Sequence, residues 1–150
     1  MDRQQKCITN EQYTRRKSIR VFGVKEIRGE SGQSIMEELC SKTDILIDMK
    51  TDIDTIHRIK SNLSPRPIII GFSTHDKKME FMKKRKTLKG TKIVLADDLC
   101  VDLFKTLNRL RNHKDVKDAW SWDSQLFAKR HDGKIATVTW GQPFDTLLFK

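Results

Sequence analysis

Four short apolar runs, with two helix-like segments set between them, constrain this chain more than any other feature. The runs are "SIRVFGV" (18–24), "DIDTIHRI" (52–59), "IIIGF" (68–72) and "TKIVLADD" (91–98). β-Branched and aromatic residues dominate them, and polar or Gly/Pro-bearing stretches bound them, which is the pattern of strands. Between the first two, Ser34-Ile35-Met36-Glu37 reads as a capping box, and Ile35, Met36, Leu39 and Cys40 form the apolar stripe of a short helix. Between the last two, "HDKKMEFMKKRKTLKG" (75–90) reads as a very basic helix that ends on Gly90, with Met79, Phe81 and Met82 on its core side. The order β-α-β-β-α-β is the split βαβ plan. The expected class is therefore α+β, with a ferredoxin-like sandwich over residues 18–99.

Beyond residue 100 the pattern changes. Leu103, Phe104, Leu107 and Leu110 fall at helical spacing, with Lys105, Arg109 and Arg111 on the other side. In "AWSWDSQLFAKRHDGKIATVTW" (119–140), Asp132-Gly133 is a strong turn signal between two alternating runs. A small helix-plus-β-hairpin domain is expected over 100–150, and residues 1–17 read as a lead-in, with the end of a coiled coil as the alternative, although they hold no sustained heptads. Trp120 and Trp122 are expected to share a strand face and to pack on Leu107 or Leu110, with stacking as the minority reading.

Charge narrows the function classes. The 30 Lys+Arg against 20 Asp+Glu give a net +10, which favours polyanionic partners. No apolar segment approaches the ~20 residues of a membrane span, and "MDRQQKCITNEQ" has no secretory character. Cys7, Cys40 and Cys100 are odd in number and far apart, so a reducing compartment is expected. The four histidines lack metal-ligand spacing, no phosphate-binding glycine loop is present, and no nucleophile is marked, so neither an enzyme nor a cofactor is expected. Asp97-Asp98 reads as a cap for the following helix, and His57 as a sheet-face or core residue.

A split βαβ sandwich with this charge suggests the RNA-recognition fold, whose middle strands display stacking rings. Here "RPIIIGF" offers Ile68 and Ile70 where rings are expected, and only Phe72 is aromatic. Arg20 stands at the second position of the first strand. The sheet reads as more cationic than aromatic, so Arg20 and Arg58 are expected to stack on bases or pair with phosphate.

"RRKSIRVFGV" (15–24), "DIDTIHRI", "RPIIIGF", "LKGTKIVLADDL" (88–99) and "LNRLRNHKDVKDAWSWDSQLFAKRHDGKI" occur in that order. Together they resemble the nucleic-acid-binding part of the first-open-reading-frame proteins of non-LTR (LINE-type) retrotransposons. The likeness covers roughly residues 12–140. It implies an RNA-recognition-like domain followed by a C-terminal domain, which bind single-stranded RNA and DNA and act as a nucleic-acid chaperone in a cytoplasmic, or also nuclear, ribonucleoprotein particle. The family's paired arginines match Arg15 and Arg16, its strand arginine matches Arg20, and its His-Arg dipeptide matches His57-Arg58. A coiled coil precedes the paired arginines in that family, so a homotrimer is expected only if such a segment lies upstream of the 14 residues before Arg15.

The expected binding residues are Arg15, Arg16, Lys17, Arg20, Arg58 and Phe72 on the first domain, with Lys129, Arg130 and Lys134 around the Asp-Gly turn. The run Lys83-Lys84-Arg85-Lys86 reads as a solvated face on the far side of the sandwich. The alternative is a protein-interaction module with its partner on the Ile68/Ile70 strand or on the Lys83–Lys86 helix. A nuclease and a sequence-specific duplex binder are weaker competitors.

Overall fold

A computed structural model describes residues 2–141. In chain order its elements are α1 (Arg3–Thr14), β1 (Ser18–Phe22), α2 (Gly32–Thr43), β2 (Ile53–Arg58), β3 (Ile68–Phe72), α3 (His75–Met82), β4 (Val94–Asp97), α4 (Val101–Arg111), β5 (Val116–Trp122), β6 (Gln125–Arg130) and β7 (Ile135–Val138), with a 3-10 turn at Arg85–Leu88. The class is α+β, with two antiparallel sheets among the described residues. The chain divides into two compact units. One is residues 17–98; the other joins the segment up to residue 16 with the segment from residue 99 onward.

In the 17–98 unit the strand order is β2-β3-β1-β4. Ile19, Val21, Ile68, Ile70, Phe72, Leu95, Phe81, Met82, Met36 and Leu39 are buried and make its core. Gly23 closes β1 with φ +85, and a Cβ there would lie 1.9 Å from the Lys92 carbonyl oxygen, so no other residue fits this turn. The cap of α2 is Ser31 rather than Ser34. The Ser31 hydroxyl accepts from the Ser34 N–H at 3.1 Å, and the Ser34 hydroxyl accepts from the Ser31 N–H at 2.8 Å. Ser34 is thus the reciprocating partner, and Glu37 pairs instead with Gln33.

The basic helix is shorter than its sequence suggests. α3 stops at Met82, because four adjacent cations and the β-branched Thr87 disfavour another α-helical turn. Lys78 is fully buried, and its Nζ lies 3.2 Å from Asp97 Oδ1, whose side chain is equally buried. The two meet as charges, out of hydrogen-bonding alignment.

In the other unit, Ile8 of α1 joins Leu99, Cys100, Leu103, Leu107, Leu110, Val116, Ala119, Leu126, Ala128 and Val138 in one apolar cluster. The N-terminal segment is therefore more than a lead-in. Gln12 is buried and its Oε1 accepts from the Cys100 N–H at 2.8 Å, which ties α1 to the start of α4. Cys100 is the N-cap of α4, with no side-chain cap, so Asp97-Asp98 does not serve that role. Phe104 is 51% exposed, and Thr106 takes the buried place beside Leu103, Leu107 and Leu110.

The expected hairpin is a three-stranded meander, β5-β6-β7. Asp132-Gly133 turns the chain between β6 and β7, as its composition implies. The second turn lies at Asp123-Ser124, both at positive φ (49 and 66), as a two-residue primed turn requires. Asp-Ser is a weaker signal for that geometry than Asp-Gly, so the sequence does not mark this turn.

Candidate nucleic-acid interface

The basic run Arg15-Arg16-Lys17 lies between α1 and β1, where the chain passes from one compact unit to the other. Arg15 caps the C-terminus of α1 through its backbone, and its Nη2 lies 3.4 Å from Glu11 Oε1. This exposed i,i+4 pair is worth only ~0.3–0.5 kcal/mol. The Arg16 guanidinium sits 3.8 Å over the Tyr13 ring and donates to the Tyr13 carbonyl at 3.0 Å. The Lys17 carbonyl accepts from the Phe72 N–H at 2.9 Å, so pairing with β3 begins before β1 itself.

Alternation along β1 sends Ile19 and Val21 into the core and Ser18, Arg20 and Phe22 to the opposite face. In register with Arg20 stand Ile69 on β3 and Ala96 on β4, and Ile69 pairs in turn with His57 on β2. Phe22 is paired with Val94, which is 55% exposed. The open face thus carries one guanidinium, one imidazole, one benzyl ring and small or aliphatic neighbours. The Arg20 Nε donates to Asp98 Oδ1 at 3.1 Å, and that carboxylate is almost fully buried. The two Nη groups have no hydrogen-bond partner among the described residues, so they remain available to a ligand.

Two expected ligands are structural instead. Phe72 is 1% exposed, on the core face, with its ring centroid 5.6 Å from that of Phe81. The run Ile68-Ile69-Ile70-Gly71-Phe72 is apolar throughout, so its facing could not be read from alternation. Ile68 and Ile70 point inward and are fully buried, which also removes them as a docking seat for a protein partner. Gly71, on the open face, admits no ring, since a Cβ there would lie 2.7 Å from Thr55 Oγ1.

Arg58 is structural as well. A bulge between Ile53 and Thr55 shifts the register of β2, so the buried Ile53 shares a side with the half-buried Ile56 and with Arg58, while Thr55 and His57 face out. The Arg58 side chain is only 6% exposed and all five of its N–H groups are used. Nε and Nη2 donate to the two oxygens of Glu30 at 2.8 and 2.9 Å, and the remaining donors go to the carbonyls of Val24, Lys25 and Arg66 at 2.7–3.1 Å. This fork holds the Glu30 carboxyl below its ordinary range. Beside it, Arg66 grips Glu26 at 2.7 and 2.9 Å and lowers that carboxyl as well. Nothing in the sequence pairs Arg58 with Glu30, 28 positions away.

In the other unit, Lys129 and Lys134 are accessible around the β6–β7 turn, while Arg130 is paired with Asp132 at 2.9 Å. Trp120 and Trp122 do not pack on Leu107 or Leu110. Ala119, Leu126 and Ala128 occupy the core face, and the tryptophans lie half-buried on the outer one. There Trp120 is stacked against Phe127, with centroids 5.9 Å apart and planes within 19°. Phe22 and Phe127 are the residues missed from the sequence, and each stands at the alternate strand position that should have marked it.

Among the described residues no cluster of three or more His, Cys, Asp or Glu side chains could hold a metal ion, and no helix is long and apolar enough to cross a membrane. Compared with known proteins, the chain matches no family model and no curated protein.

Proposed function

We propose that this chain is a non-enzymatic binder of single-stranded RNA and DNA with chaperone-like activity, built on a ferredoxin-like, RNA-recognition-type sandwich and a small C-terminal domain. The strand order β2-β3-β1-β4 with interposed α2 and α3 supports the sandwich reading. The observation that carries the function is the continuity of Arg15-Arg16-Lys17 with a strand that presents Arg20 and Phe22 on the open sheet face. A net charge of +10 attracts the polyanion, the cations ahead of β1 neutralise phosphates, and the buried Asp98 holds the Nε of one guanidinium. The contact residues are Lys17, Arg20 and Phe22 on the 17–98 unit, and Arg15, Arg16, Lys129, Arg130 and Lys134 on the other. The resemblance to the retrotransposon first-open-reading-frame proteins points the same way.

Titration of a fluorescent single-stranded 20-mer against salt tests this reading. If about five phosphates are neutralised, the log–log slope is about −3.5. Replacing Arg15 and Arg16 by alanine lowers both affinity and slope. A flat salt response, or no loss in that variant, overturns the reading. Retained capture of a protein partner with Val94 and Ile69 at the contact would then favour an interaction module.

A further inference from the structure

We propose that the outer face of the β5-β6-β7 sheet is a stacking platform for unpaired bases, formed by Trp120 and Phe127 and flanked by Lys129. This rests on the single-strand reading above and adds to it a second contact surface, with base contact rather than phosphate contact as its main term.

The register builds the surface row by row. Trp120 on β5 pairs with Phe127 on β6, and Phe127 pairs with Thr137 on β7. The adjacent row is Asp118, Lys129 and Ile135. The core side of the same strands is filled by Ala119, Ala128, Leu126 and Val138, so neither ring is needed to close the apolar cluster. Aromatic side chains normally bury 150–250 Å² each in a core. Two that stand together on the opposite face are surplus to the core's own packing.

Their geometry suits a nucleobase. The rings are nearly parallel and offset, so a third flat ring extends an existing stack. Beyond Phe127 the row continues with Thr137, a small exposed residue, and beyond Trp120 the sheet ends because β5 is its edge strand. A base laid on Phe127 therefore meets no bulky cross-strand neighbour. Ile135 is 59% exposed and widens the apolar patch, while Lys129 sits two residues from Phe127 on the same face, within reach of a phosphate. Asp118 stands opposite Lys129, but its Oδ1 accepts from the Ala119 N–H, which takes up part of its charge. An aromatic pair beside a lysine, in a chain of net +10, complements a strand with flat bases and anionic links better than it complements a neutral apolar peptide.

The decisive experiment uses the unmodified full chain with two probes of equal length and charge: oligo-dT of 20 nucleotides and its abasic counterpart. Stacking is sequence-tolerant and each stacked base contributes about 5- to 150-fold in affinity. Oligo-dT is expected to bind at least about fivefold more tightly than the abasic strand, with the same salt slope, and to quench tryptophan fluorescence. Trp120→Ala and Phe127→Ala should each abolish that discrimination while leaving the slope unchanged, and Trp120→Phe should retain most of it. Equal affinity for the two probes, without quenching but with the salt slope intact, overturns the platform and leaves the single-strand reading standing. Absence of salt-dependent binding to either probe overturns that reading, and the platform with it.

Discussion

Arg58 and Glu30, one on β2 and the other just ahead of α2, are joined by two hydrogen bonds of 2.8 and 2.9 Å, with the guanidinium almost wholly buried. The fork also gathers three carbonyls from two loops, so it fastens that end of the 17–98 unit. Removing one partner of a buried pair costs about 3–5 kcal/mol. Arg58→Ala should lower the urea midpoint accordingly, with an unchanged m-value. Arg58→Lys should recover little, since an ammonium cannot span both Glu30 oxygens and three carbonyls.

The same fork predicts an acid-sensitive fold. Arg58 holds the Glu30 carboxyl below its ordinary value of 4.5, and Arg66 does the same for Glu26. A depressed carboxyl contributes stability that is present above the unfolded-state value and is lost as pH falls through the folded-state value. Thermal melts should therefore show stability declining below about pH 4.5, and Glu30→Gln should flatten that decline. Glu26, the more exposed of the two, should matter less because solvent screens its pair.

Lys78 and Asp97 form a charged pair with no exposed surface on either side chain. Lys78→Met alone should destabilise the fold by about 3–5 kcal/mol, because Asp97 loses its buried counter-charge. Combining Lys78→Met with Asp97→Leu should restore much of the loss, since apolar replacement of both partners is often neutral or better. Chemical denaturation of the single and double variants separates these outcomes.

Phe22 and Phe72 are the two aromatics of the first sheet, on opposite faces. Phe72→Ala should cost about 3–5 kcal/mol of stability through the cavity it leaves against Phe81. Phe22→Ala should change stability much less, and should instead weaken single-strand affinity. Paired melts and binding titrations of the two variants check the assignment of faces.

Much of the fold was legible where periodicity was clean. "SIRVFGV" alternates, and β1 lies there with Ile19 and Val21 inside. The α2 stripe of Ile35, Met36 and Leu39 is buried as its spacing requires. Facing failed where the pattern was uniform or interrupted. The all-apolar β3 gave no alternation to read, and the bulge in β2 moved Ile53 to the same side as Arg58. Partners failed where the chemistry was remote in sequence. Glu30 and Asp98 decide what Arg58 and Arg20 can do, yet they lie 28 and 78 positions away. An arginine read alone looks available to a ligand. Its counter-charge determines whether it is a fastening, as at Arg58, or an aimed donor, as at Arg20.

Asp97 and Asp98 extend this point to the whole β4 edge. One carboxylate meets Lys78 within the core, and its neighbour meets Arg20. Sliding β4 by a single residue would leave one acid for the two positions: in one direction Ala96 would replace Asp97 beside Lys78, and in the other Leu99 would replace Asp98 beside Arg20. Two adjacent identical side chains thus act as a two-sided key. Only the observed frame pairs both acids, and that frame holds Arg20 Nε against Asp98.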